Sequence, residues 1–305
     1  TMLENKLKNY LLLHLIVFIW GFTAILGALI TIDAIPLVFF RMGLAVLFIA
    51  IYFLIKKKSF YLDKTGVLKF LFTGIIIATH WIFFFKAIKV SNVSVALVTM
   101  STGAFFTSLI EPIFFKRKIK LLEIVLGLLV IVGLYIIFNF ESQYQLGIFY
   151  ALIASFLGSL FAVLNGLFIK RYDANRISFY QLLFGVLFVT VYLLINNRFS
   201  IAFFDLSNLD WMYLVILSSI CTGYAFIASV KVMEYLSPYT VMLTINLEPI
   251  YAIILALFIF GDKEKMNPEF YLGAGIVLGV VLLNGIISNK SKFKEKFLQK
   301  IRLKK

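Results

Sequence analysis

The sequence predicts an all-α integral membrane protein with ten transmembrane helices in two inverted five-helix repeats. Of the 305 residues, 62% are hydrophobic and only 14% are charged, and the mean hydropathy is +1.00. Apolar stretches long enough to cross a bilayer recur from residue 10 to residue 288. In addition, the two halves of the chain can be aligned with each other. These three observations leave no room for a soluble domain.

The apolar stretches are predicted to be helices, because the strands of a membrane barrel would alternate polar and apolar residues in segments of about ten. The ten predicted spans are 11–30, 36–55, 67–88, 92–115, 121–140, 147–169, 177–196, 211–233, 239–260 and 270–287. Most connections are short, so consecutive helices are expected to run antiparallel. The first span is predicted to be a retained helix, since it is too long for a signal peptide.

The formal net charge of +14 is explained by membrane topology better than by nucleic-acid binding. With the N-terminus inside, the cytoplasmic segments carry 22 Lys and Arg residues and the outside segments only 5. The positive-inside rule therefore predicts that both termini are cytoplasmic, in a multi-pass protein of the inner or plasma membrane. Residues 290–305 form a basic cytoplasmic tail, which either lies on anionic lipid as an amphipathic helix or only sets the topology.

Two sequence matches indicate an internal duplication. Residues 91–133 align without a gap to residues 237–279 at an offset of 146, pairing "SNVSV" with "SPYTV". A second match, at an offset of 140, sets "FFRMGLAVLFIAIYFLI" beside "FYQLLFGVLFVTVYLLI". The predicted repeats are residues 1–143 and 144–289, and five helices per repeat give the repeats opposite orientations. Inverted repeats are typical of alternating-access transporters.

The motifs "FIWGFTAIL", "PLVFFRMGLAVL" and "LEPIYAIILALFIFGDKEKM" stand in the first, second and ninth spans. Together with the five-plus-five duplication, they resemble the EamA family of the drug/metabolite transporter superfamily over essentially the whole chain. That family usually has Gly-Glu where Gly261-Asp262 stands, and the first half departs further with Lys116-Arg117. The resemblance implies secondary transport of a small metabolite, commonly the export of amino acids or related compounds, from a central cavity between the halves.

Glu248 is the leading candidate for a substrate-contacting or proton-carrying group. It is predicted to lie near the middle of the ninth span, and an ionisable group at that depth costs about 2.5–3.5 kcal/mol on insertion scales. Pro249 frees a backbone carbonyl one turn earlier and offers a possible hinge. The alternative is a structural carboxyl that is hydrogen-bonded to a neighbouring helix.

The other predicted substrate-binding residues are polar or aromatic groups within the spans. His80 lies near the midplane beside Trp81 and could exchange a proton with Glu248. The 146-residue offset pairs Thr102 with Glu248. The remaining candidates are Tyr251, Thr99, Asn165, Tyr224 and Asn246. Each of these could instead serve only helix packing.

Two further charged residues are predicted to gate the cavity or to stabilise the bundle. Arg41 lies a little over a turn inside the outer end of the second span, and its repeat partner is Gln181. A simple alternative is that Arg41 extends to the membrane interface. Glu111 lies about a turn from the cytoplasmic end of the fourth span, where it suits an inner gate or an ion pair.

The sequence contains no Gly-rich phosphate loop and no metal-ligand cluster, so neither an enzyme, nor ATP-driven transport, nor a metal or cofactor is predicted. The expected partners are a small-molecule substrate, the lipid bilayer and protons, but not nucleic acid, and a monomer is favoured over an oligomer. A passive channel or a non-transporting membrane scaffold is the alternative function. Flux that saturates with substrate and shows counterflow would distinguish a transporter from both.

Overall fold

The computed structural model describes residues 2–116, 118, 121–280 and 282–283. The predicted basic tail, residues 290–305, lies outside these residues. The helices are, in chain order, α1 (Met2–Leu29), α2 (Ala34–Ile55), α3 (Lys64–Val90), α4 (Val93–Met100), α5 (Gly103–Phe115), α6 (Leu121–Phe140), α7 (Gln145–Phe168), α8 (Ala174–Ile195), α9 (Ile201–Phe204), α10 (Asn208–Ile216), α11 (Ala225–Val232), α12 (Pro238–Ile245), α13 (Glu248–Phe260) and α14 (Pro268–Val280). A π-helical segment, Leu217–Tyr224, joins α10 to α11.

Among the described residues, eight helical stretches are long and apolar enough to cross a membrane. Two shorter apolar helices, Val125–Phe140 and Pro268–Val280, fall at the predicted fifth and tenth spans. The class of multi-pass helical membrane protein is therefore confirmed, while ten crossings in two inverted repeats stay a prediction. We call the end of the bundle with the α1–α2 and α13–α14 connections the predicted outer face, and the opposite end the predicted inner face.

Helices α2 and α8 repeat each other in length and in the way they end. Each has 22 residues, and their bounds differ by the 140 residues found in the sequence match. Two residues beyond each helix, Lys57 and Asn197 adopt positive φ angles of 49° and 50°. A left-handed residue at this position is a common way to end a helix. The backbone here thus repeats with the spacing of the sequence.

The fourth and ninth predicted spans are each interrupted near the middle. A turn at residues 101–102 separates α4 from α5, and a turn at residues 246–247 separates α12 from α13. Pro249 stands in the first turn of α13, where its missing N–H costs little. At the 146-residue offset, the two turns correspond to within one residue. In transporters built from repeats, helices broken at corresponding positions are typical of a binding site at mid-membrane.

The π-helical segment widens the eighth predicted span close to α1 and α2. The Thr222 hydroxyl donates to the Leu217 carbonyl, five residues earlier, at 2.7 Å. The indole N–H of Trp20 on α1 donates to the Cys221 carbonyl at 3.0 Å. Because a π turn leaves carbonyls that an α-helix would use, it can accept a hydrogen bond from another helix, and such turns frequently occur at functional sites.

The two halves pack closely against each other where α3 crosses α8. A Cβ atom on Gly74 would lie 2.6 Å from the Gln181 carbonyl oxygen and 3.0 Å from the Gly185 nitrogen. Only glycine allows the two backbones to come this close, as is common between membrane helices. The core of the bundle is therefore shared between the halves.

Candidate functional site

A cavity of about 100 Å³ lies inside the bundle and is bounded by helices of both halves. This volume holds several water molecules or a small metabolite. The lining residues belong to α1, α2, α3, α4, α7, α11, α12 and α13, with one residue directly after α11. They are Trp20, Thr23, Arg41, His80, Trp81, Phe84, Met100, Gly158, Phe161, Ala162, Asn165, Phe226, Ser229, Met233, Val241, Met242, Ile245 and Glu248.

Eight of the eighteen residues that line the cavity are tryptophan, phenylalanine or methionine. Five aromatic side chains and three methionines line it, namely Trp20, Trp81, Phe84, Phe161, Phe226, Met100, Met233 and Met242. Aromatic faces attract both apolar groups and cations, and methionine adapts its shape to irregular ligands. The wall therefore suits an apolar group, while a few polar side chains are available to orient a polar one.

Arg41 contributes a buried positive charge to the cavity. Only 2% of the residue is exposed, so it does not extend to the membrane interface. Its Nε donates to the Thr222 hydroxyl at 2.7 Å, and its Cζ lies 3.8 Å from the centre of the Trp81 ring. In the described part of the chain, Nη1 is buried without a hydrogen-bond partner. The guanidinium is thus held by Thr222 and Trp81, with one of its donor nitrogens left unsatisfied.

His80 lies in the same cavity, with one ring nitrogen already occupied. Its Nδ1 is 2.6 Å from the Ala154 carbonyl oxygen, an acceptor that requires a proton on Nδ1. In the neutral ring Nε2 is then the acceptor. The ring also makes an edge-to-face contact with Phe161, at 5.2 Å between centroids. These contacts fix the orientation of an imidazole that faces the cavity.

Glu248 lines the cavity as the first residue of α13, directly after the break in the ninth span. It is only half-buried, in keeping with a carboxyl that faces the cavity. No ion pair joins it to Arg41 among the described residues. Two groups of opposite formal charge therefore face one cavity without neutralising each other directly.

A neutral polar cluster lies beside the cavity, toward the predicted inner face. The Gln181 side-chain nitrogen donates to Asn165 Oδ1 at 2.6 Å and to the Thr73 hydroxyl at 2.9 Å. Gln181 is the repeat partner of Arg41, and each of the two residues donates to a threonine of the opposite half. The two halves are thus joined by two hydrogen bonds to threonines at different depths. The donor is a charged guanidinium in one and a neutral amide in the other.

Four of the nine predicted substrate-binding residues line the cavity, namely Glu248, His80, Trp81 and Asn165. The other five do not. Thr99 and Thr102 are buried; the Thr102 hydroxyl donates to the Thr99 carbonyl at 2.8 Å and lies 2.9 Å from the Ser155 hydroxyl. Asn246 is buried in the break before α13, Tyr251 packs against Phe18, and Tyr224 is 50% exposed.

The two predicted gating residues are in different surroundings. Arg41 lines the cavity with Glu248, which the sequence did not indicate. Glu111 is buried near the end of α5 and does not line the cavity. The two Glu-Pro pairs of the chain therefore differ in position as well as in repeat register, as the 146-residue offset predicted.

Glu264 links the two halves at the predicted outer face, and the sequence analysis missed it. Its carboxylate accepts hydrogen bonds from the Val93 N–H at 3.0 Å, the Ser94 N–H at 2.9 Å and the Ser94 hydroxyl at 2.7 Å. These donors form the first turn of α4, where a helix favours negative charge. Only 4% of Glu264 is exposed. We call this contact the Glu264 clasp.

A second link between the halves lies at the predicted inner face, outside the membrane spans. The Asp63 carboxylate caps α3, accepting from the Gly66 N–H at 3.2 Å. It also accepts from the Tyr172 hydroxyl at 2.9 Å and from Arg171 at 2.6 Å. The Tyr172 hydrogen bond is the largest cause that holds the pKa of Asp63 below its ordinary value, and Arg171 acts in the same direction.

Interrupted membrane helices around a buried cavity with a few charged groups define the class of polytopic membrane transport proteins. Comparison with known proteins supplies the family. The model of the EamA-like transporter family matches residues 7–139 and 145–286. The chain belongs to this family, and the resemblance found in its motifs is confirmed.

Relatives and solved structures agree with this assignment. A Clostridium kluyveri protein named "Uncharacterized transporter" is 28% identical over 229 residues, covering 70% of this chain and 69% of its own. The Bacillus subtilis "Uncharacterized transporter YxxF" is 23% identical over 286 residues, covering 90% and 89%. A solved crystal structure with 12% identity matches with a TM-score of 0.69, covering 92% of this chain and 99% of the other, and so shares the fold. The chain is thus a membrane transporter.

Proposed function

We propose that the protein is a secondary transporter that moves a small metabolite, an amino acid or a related compound, across the inner or plasma membrane by alternating access. The direction we favour is export. Substrate binds in the central cavity between the two halves. The single observation that carries this proposal is the cavity itself, because it contains Arg41, His80 and Glu248 where two corresponding helices are interrupted.

Glu248 is the residue on which transport is expected to depend most. A carboxyl in the hydrocarbon region is costly unless it binds a partner, and no ion pair within the described residues satisfies it. Substrate or a proton is then its partner during the transport cycle. Proton coupling follows if substrate and proton compete for this carboxyl, and His80 is the second group in the cavity that can carry a proton.

Alternating access requires contacts between the halves that break and re-form, and two such contacts are present. The Glu264 clasp holds the predicted outer face, and the contacts of Asp63 with Arg171 and Tyr172 hold the predicted inner face. Alternating access requires that these two links do not both persist in every state. The broken helices α4–α5 and α12–α13 offer hinges at mid-membrane.

The test is uptake into proteoliposomes, with an imposed pH gradient and a panel of amino acids, nucleosides, sugars and organic cations. We expect saturable uptake and counterflow for one class, and we expect Glu248→Gln to abolish the response to the pH gradient while the protein remains folded. Glu234→Gln is the control, since Glu234 is an exposed carboxyl that does not line the cavity.

Three outcomes would contradict the proposal in different ways. Flux without saturation or counterflow would indicate a passive channel, and no flux with any compound would indicate a membrane scaffold. Unchanged uptake and an unchanged pH response in Glu248→Gln would remove this carboxyl from the mechanism.

A further inference from the structure

The Arg41 guanidinium is only partly satisfied by its surroundings. A guanidinium carries five N–H donors, and a carboxylate is the acceptor that matches its planar fork. The Thr222 hydroxyl accepts from Nε alone, and the Trp81 ring covers one face. Nη1 remains buried without a partner in the described part of the chain. An unsatisfied donor on a buried charge is unfavourable, so an acceptor that enters the cavity would be bound there.

The acceptor that is missing at Arg41 does not come from Glu248, because no ion pair joins the two among the described residues. Both side chains nevertheless face the same cavity. A ligand with only a positive charge would satisfy Glu248 and leave Arg41 uncompensated. A ligand with only a negative charge would do the reverse. A ligand that carries both charges is the one that satisfies both residues in a low-dielectric interior.

We propose that Arg41 anchors the carboxylate of a zwitterionic substrate whose ammonium group binds Glu248. This inference rests on the proposed function and replaces a gating role for Arg41. Within the amino acids and related compounds of the proposed function, it selects those that carry both a carboxylate and an amine, and it excludes simple organic cations and uncharged nucleosides. The free acceptor Nε2 of His80 can receive an ammonium N–H, and the aromatic and methionine wall accommodates an apolar side group.

The inference is tested by combining truncated ligands with protein variants. The ligands are L-phenylalanine, phenethylamine, which lacks the carboxylate, and 3-phenylpropionate, which lacks the amine, with the corresponding leucine series as a second set. Binding is measured by isothermal calorimetry on the purified full-length protein. We expect the wild type to bind at least one of the two zwitterions at least tenfold more tightly than either of its truncated ligands.

The variants then assign each charge of the ligand to a residue. In Arg41→Gln, which introduces the side chain found at the repeat partner, we expect the amine-only ligand to bind as tightly as the zwitterion. In Glu248→Gln, we expect the carboxylate-only ligand to do so. Lys89→Gln is the control, because Lys89 is a cation of α3 that does not line the cavity, and it should keep the wild-type preference.

Several results would overturn the inference. The first is that the wild type binds the truncated ligands as tightly as the zwitterions, or binds no zwitterion at all. This measurement does not depend on the folding of any variant. Another is an Arg41→Gln protein that weakens all ligands equally, since this would show a merely structural role. If Arg41→Gln does not fold, Arg41→Lys replaces it, and equal weakening of the zwitterion and of both truncated ligands in that variant would likewise show a merely structural role. If the protein binds adenosine or tetraethylammonium and no zwitterion, the inference that the substrate is a zwitterion is wrong, while the proposal that the protein is a transporter stands.

Discussion

Replacing Glu264 with glutamine is expected to weaken the Glu264 clasp. The carboxylate accepts three hydrogen bonds, two of them from backbone N–H groups in the first turn of α4. Glutamine keeps one acceptor oxygen and turns an N–H₂ group toward donors. One or two of these bonds are therefore lost, and a hydrogen bond to a charged group contributes about 1.5–3 kcal/mol. The expected cost is about 3 kcal/mol of the stability of the clasped state.

Thermal unfolding in detergent measures this cost. The entropy of unfolding is about 2.1 cal/mol/K per residue, so in a chain of 305 residues a cost of about 3 kcal/mol is expected to lower the melting temperature by about 5 °C. Hydrogen exchange should increase in the first turn of α4 as well. The control is Asp262→Asn, because Asp262 is highly exposed in an ion pair with Lys265 and such pairs contribute little. If Glu264→Gln melts with the wild type and exchanges at the same rate, the clasp does not stabilise this state.

Two further predictions concern the cavity and the predicted inner face. A Cβ atom on Gly158 would lie 3.0 Å from the His80 ring, so Gly158→Ala should cost about 1–3 kcal/mol of stability through overpacking. The control is Gly275→Ala, where nothing lies within 4 Å, and equal melting temperatures of the two variants would contradict the crowding. The pKa of Asp63 is lowered on folding, so the stability it contributes is present above its ordinary pKa and is lost as the pH falls through the folded-state pKa. The melting temperature of the wild type should therefore approach that of Asp63→Asn as the pH falls below 3.8, and a difference that stays constant there would count against this link.

Much of the fold was predictable because a bilayer admits few solutions. An apolar segment of about 20 residues must satisfy its own backbone there, so length and hydropathy are enough to predict a helix. The 140-residue offset predicted the likeness of α2 and α8, and the 146-residue offset correctly separated Glu111 from Glu248. The breaks at residues 101–102 and 246–247 were not predicted, although Pro249 is a local signal for the second.

The site was predicted in part, for a reason that Arg41 illustrates. Sequence position measures how deep a residue lies along a helix, and this was sufficient to select Glu248 and His80. It does not say which helices surround that depth, and so Tyr224 was predicted to bind substrate, while Arg41 was predicted to gate the cavity or to extend to the interface. Tyr224 is half exposed, whereas Arg41 is buried against Trp81 and Thr222.

The sequence by itself determined that the chain is a multi-pass helical membrane protein, and it predicted a duplication and a costly carboxyl near mid-membrane. These properties depend on composition, on the length of apolar segments and on internal similarity. All three can be obtained along the chain without knowing which helices are neighbours. Only the tertiary structure decided that Arg41 and Glu248 face one cavity and that Glu264 holds the first turn of α4. Such pairings join residues more than 150 positions apart, and they depend on how helices rotate and cross, which hydropathy does not encode.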